Sequence, residues 1–175
     1  MGVTWLQPST HPELSEALVR EAEAHFDVQF PAAWLALLRM QNGGYIEQQL
    51  VAVAEPVPDE ARDYLADGFV SVNQFFGIDP DPDTEGSIYC TSYMTDEWDL
   101  PAGLVLLDGD GHTWLAFDYR STRTDPAIVF VVADGGIIVP LASSFDDFLL
   151  KLTPYSSVFD EDGNRASLGR RGPSE

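Results

Sequence analysis

The sequence predicts an α+β domain: two helices, then a mostly antiparallel sheet, then a last helix packed back on that sheet. Three observations carry this. Apolar residues recur at helical spacing from Leu14 to Leu38. Between Gly103 and Leu141, apolar runs are joined by connections too short for parallel crossovers. From Ser143 to Leu152 helical spacing returns, opening on serine and closing on lysine.

The first helix is announced by Thr10 and Glu13, spaced as a capping box, with Pro12 in the first turn, where its missing N–H costs little. Leu14, Ala17, Leu18, Ala22 and Phe26 then share one face. "DVQFP" interrupts, and Pro31 starts a second helix through Trp34, Leu35, Leu37 and Leu38 to Gln41. "NGG", Asn42–Gly44, follows at its carbonyl end. A phosphate cradle needs glycines before a helix, where amides face the anion, so this triplet reads as a helix stop.

Strands are expected at 50–54 and 69–72, with a loop and a short helix between. "GIDPDPDTEG" is the most loop-like stretch, and a helix is expected from Ser87 to about Asp96. Four strands follow at 103–107, 113–119, 127–132 and 137–141, and Pro140 marks the last as an edge or a bulge. In "SSFDDFLLKL", Ser143 or Ser144 caps the closing helix, Asp146 and Asp147 favour its first turn and Lys151 its last. One domain over residues 1–152 and a flexible tail over 153–175 are the expected organisation.

Charge narrows the function. Twenty-nine acids against nine bases leave a net charge of −20 and a pI near 4.1. Such a surface repels nucleic acid and anionic lipid and steers a basic partner inward; solubility and salt adaptation are the competing readings. A single cysteine, Cys90, allows no disulfide framework and no thiolate metal site. The N-terminus lacks the features of a signal peptide and no apolar run is long enough to cross a membrane, so a cytoplasmic protein is expected.

No motif specifies catalysis, a metal or a cofactor, and none is expected. Asp79, Asp81, Asp83 and Glu85 alternate as oxygen ligands can, but an EF-hand needs glycine at its sixth position, and Thr84 stands there. Counted from Asp108, the same position holds Thr113. His11, His25 and His112 lie in unrelated contexts, a Cys90–His112 dyad has no local support, and acids around Trp98 are expected by chance in so acidic a chain. Trp34 reads as core, whereas Trp98, flanked by acids, reads as an exposed anchor.

The ordered signals resemble the SUKH superfamily of the Smi/Knr type. "EAHFDVQFPAAWLALLRMQNGG" is similar to its first block, with Glu23, Pro31 and Asn42-Gly43-Gly44 in the corresponding places. "EWDLPAGLVLLDGDGHTWLAFDYR" looks like its second block and "SSFDDFLLKL" like its closing helix, so the likeness spans about residues 12 to 152. Asp27 and Phe30 depart from the usual Gly and Leu.

The resemblance implies an α+β binding domain with no catalytic residues to carry over. Many bacterial members are thought to be immunity proteins that neutralise a toxin, often a nuclease; fungal relatives act as scaffolds in cell-wall signalling. The expected function is therefore toxin neutralisation by direct contact with a basic protein, not nucleic acid or membrane. A scaffold role and an unrecognised hydrolase are the alternatives. The expected contact residues are Asp79, Asp81, Asp83, Glu85, Asp96, Glu97, Asp108 and Asp110, with Trp98 as the aromatic anchor.

Overall fold

Helix α1, Glu16–Phe26, starts later than its capping box suggests: Ser15 is the cap, its Oγ accepting from the Leu18 amide at 3.2 Å. The residues before it are occupied elsewhere. Ser9 Oγ donates to the Asn42 carbonyl and the Pro12 carbonyl accepts from Asn42 Nδ2, which draws this segment across the end of the next helix. Val19 and Ala22 are the buried positions of α1, Leu14, Leu18 and Phe26 pack at its margin, and Ala17, expected on the apolar face, is exposed. The computed structural model describes residues 2–81 and 83–166.

Asp27 ends α1 in the left-handed region, with φ 54°, the conformation for which glycine is the usual choice and Asp a tolerated one. Glu23 closes the turn, its carboxylate accepting from the Phe30 amide at 2.9 Å. Phe30 itself is buried, 4.9 Å from the Trp34 ring. Helix α2, Ala32–Met40, then begins behind Pro31 as expected and buries Trp34, Leu35, Leu37 and Leu38.

Strand β1, Gly44–Ala52, begins without a spacer, several residues before the strand that composition suggested. It pairs antiparallel with β2, Phe69–Phe75; helix α3, Asp59–Arg62, lies in the connection. A 3-10 turn at Ile88–Cys90 leads into helix α4, Thr91–Trp98.

Strands β3 (Leu104–Gly109), β4 (Thr113–Asp118), β5 (Ala127–Val132) and β6 (Ile137–Ala142) form a four-stranded antiparallel meander in that order. Pro140 meets both expectations: β6 is an edge, and the register slips opposite it between Ile128 and Val129. The meander meets the first sheet where the Phe76 amide donates to the Leu107 carbonyl at 2.7 Å.

Helix α5, Phe145–Lys151, is capped by Ser144 and packs back on the sheets. The core is aromatic where helices and sheets meet. Trp34 stands edge-on to Phe117 with ring centroids 5.4 Å apart, and Phe145 lies 5.9 Å from Phe117 and 6.0 Å from Phe75. All four are fully buried, and such edge-to-face pairs add to area burial.

Packing continues past Leu152, within the stretch expected as a flexible tail. Strand β7, Thr153–Pro154, completes a three-stranded sheet in the order β2-β1-β7. Phe159 is buried 6.1 Å from Phe69, and the Arg165 guanidinium lies over the Phe69 ring at 5.0 Å while pairing with Asp67. Periodicity missed this because two aromatics and one arginine hold the segment, with no repeating apolar face. Residues 167–175 of the expected tail lie outside the described residues.

Candidate functional site

The double glycine after α2 builds the site indirectly. Asn42, 4% exposed, donates through Nδ2 to the Ile78 carbonyl at 2.9 Å and accepts at Oδ1 from the Ile78 amide at 2.8 Å. Gly43, at φ 78°, lies so close to the neck of the acidic loop that a Cβ there would stand 2.5 Å from the Gly77 nitrogen. The triplet is thus a clamp: it fixes the start of the 77–87 loop against the end of α2. Ser87 closes the other side, donating to the Asp79 carbonyl at 2.6 Å.

Inside the loop, aspartates hold successive turns. Asp79 Oδ1 accepts from the Asp81 amide and Asp81 Oδ1 from the Asp83 amide, each at 3.0 Å, the Asx pattern that suits Asp to turns. Asp83 and Glu85 are exposed, and their carboxylates have no hydrogen-bond partner among the described residues.

Opposite the loop stand α4 and the β3–β4 hairpin. Asp110 caps that hairpin, its Oδ1 accepting from the His112 amide at 3.0 Å and the Thr113 amide at 2.9 Å. The glycines beside it are required by close approach. A Cβ on Gly109 would stand 2.1 Å from the Trp114 ring, and one on Gly111, at φ 97°, would stand 2.7 Å from the Trp98 ring. Trp98 is half-buried, edge-on to His112 at 5.3 Å.

Between these walls lies a groove of about 620 Å³. Asp81, Asp83, Glu85 and Asp110 contribute carboxylates to it; Tyr45, Phe76, Tyr89, Tyr93, Trp98 and Trp114 contribute aromatic surface. Among the described residues, no Lys, Arg or His lines it. The ion pairs among the described residues lie elsewhere, at Glu16, Asp27, Glu55, Asp59, Asp67, Asp79, Asp118 and Asp147. The four groove acids therefore have no ion-pair partner among the described residues.

The remaining expected contact residues fall outside this arrangement. Asp79 is 9% exposed, with its carboxylate 3.5 Å from His11 and turned into the loop neck. Asp108 is 8% exposed, accepting from the Asn73 amide at 3.2 Å where the two sheets meet. Burial pushes its carboxyl up to about 6, against hydrogen bonds from Asn73, Gln74 and Gly109 that pull it down. Both are largely buried, which sets them apart from the exposed acids of the groove. Asp96 lines a separate hollow with His25, Thr122 and Arg123, and Glu97 is exposed on α4.

The tyrosines were the unforeseen part. Tyr89 and Tyr93 are four residues apart around the start of α4, a spacing that places both on one flank, and Tyr45 follows the double glycine directly. Cys90 also lines the groove, and burial raises its thiol to about 11, the reverse of what a nucleophilic thiolate requires. Among the described residues, no group of three or more His, Cys, Asp or Glu side chains is placed to hold a metal ion, and no helix is long and apolar enough to cross a membrane.

Helices packed on antiparallel sheets, with a clamped acidic loop beside a two-strand hairpin, define an α+β domain of the kind the first resemblance implied. The chain belongs to the SMI1 / KNR4 family (SUKH-1), whose family model matches residues 13–151. No curated protein matches the sequence.

Proposed function

We propose that this protein is an immunity protein, binding and neutralising a cognate toxin, most plainly a nuclease, through the groove between the acidic loop and α4. It acts as a binding domain in the cytoplasm and transforms no substrate. The observation that carries this reading is the set of four groove acids with no cation paired to them among the described residues. Removing water from unpaired acids is costly, so such a surface favours a partner that brings positive charge.

Two further lines support it. The family includes bacterial members thought to be immunity proteins, and a net charge of −20 steers basic proteins over long range. Nucleases grip phosphates with basic surface, so an acidic groove can occupy the place their substrate would take. The test is co-expression with the product of the neighbouring gene. Rescue of growth together with a stable complex supports neutralisation; continued toxicity with no complex refutes it.

A further inference from the structure

The groove's chemistry specifies more than a negative face. It joins three properties: acidic residues on both walls, exposed π-surface between them, and no lining cation among the described residues. Tyr93 is 64% exposed and Tyr45 54%, high values for large aromatic side chains beside a folded loop. Trp114, 2% exposed in the groove wall, keeps an indole N–H with no acceptor among the described residues.

We propose that the groove binds an arginine side chain presented by an extended segment of the partner, with the guanidinium against Tyr93 and Trp98 and bridging to Asp83, Glu85 and Asp110. The occupant deepens the proposed function and rests on it only for the identity of the partner protein.

The choice of arginine follows from shape. A guanidinium is planar, stacks on aromatic faces, carries five donors in a fixed fork and is less strongly hydrated than an ammonium. It satisfies carboxylates on two walls while lying on a ring, which a lysine point charge does not. A metal ion is a poorer occupant, because the acids do not gather three or more ligands at one point among the described residues. A peptide is a better occupant than a free cation because the groove's 620 Å³ exceeds one side chain several-fold.

The experiment uses the full chain and an acetylated, amidated Gly-Arg-Gly-Arg-Gly peptide, titrated at low salt while following the indole N–H resonances and tryptophan emission. Saturable binding is expected, with the Trp98 resonance moving most. The double variant Asp83→Asn/Glu85→Gln should weaken binding at least fivefold, and Tyr93→Ala, an exposed site that leaves the core intact, about threefold. Asp134→Asn/Asp146→Asn removes the same net charge on exposed residues away from the groove and should leave affinity unchanged. The lysine counterpart of the peptide should bind several-fold more weakly. Equal weakening by the two double variants, or equal binding of both peptides, overturns the proposal by reducing it to net charge. Complex formation with the neighbouring gene's product is read separately, so a groove that ignores arginine leaves neutralisation standing, and a groove that binds it does not establish neutralisation.

Discussion

Two buried polar side chains set much of this molecule's behaviour. Asn42 ties the end of α2, the N-terminal segment and the acidic loop through three hydrogen bonds of 2.7 to 2.9 Å from its amide. Asn42→Ala leaves the Ile78 amide and two carbonyls without partners, so urea unfolding should show a loss of about 3 kcal/mol. Asp108 acts through pH. Its folded pKa of about 6 lies above the ordinary carboxylate value, so folding favours the protonated acid. Its contribution is fully present at acid pH, below the unfolded value, and is lost as pH rises through about 6, a change of roughly 3 kcal/mol. Asp108→Asn, neutral throughout, should match the parent near pH 4 and exceed it by up to about 3 kcal/mol at pH 7, read by urea unfolding at each pH.

Helices and strands divide by how locally they are encoded. The meander was legible because β3 to β6 are continuous apolar runs separated by short Asp- and Gly-bearing turns, and α2 and α5 because a proline or serine opens each. α1 began late because Pro12 and Ser9 are engaged by Asn42, 30 and 33 residues away, a contact that no local pattern carries. The groove was half legible. Its acids are visible as alternate positions in one loop, but their separation into exposed Asp81, Asp83 and Glu85 and buried Asp79 depends on Ser87 and His11 closing the neck. β7 and the segment after it were not legible, since Phe159 and Arg165 meet Phe69 only once the first sheet exists. Truncation after Leu152 should consequently lower thermal stability, with Phe159→Ala alone costing about 3 kcal/mol.

The charge excess acts on the molecule as a body. With twenty-nine acids against nine bases, the net charge of −20 repels itself, and most cations in the described part are already paired: Arg39, Arg62, Arg120, Arg123, Lys151 and Arg165 each meet a carboxylate. Added salt should therefore raise the melting temperature of the free protein and, if the proposed basic partner is right, slow its capture by an order of magnitude or more, as thermal melts and stopped-flow mixing across ionic strength would read. The two opposite responses belong to one cause, self-repulsion in the free state and attraction in the encounter.

The rims of the meander carry a last consequence. On one side Pro140 interrupts the row of donors along β6; on the other, the Leu106 amide of β3 is already taken by Thr91 Oγ1 at 3.0 Å and the Leu107 carbonyl by Phe76. A visitor therefore finds little main chain to zip onto, and copies of this domain in a crowded cell are kept from stacking edge to edge. On the proposed reading, a partner is met by side chains of one loop and one helix flank, with the strand rims left out of the contact.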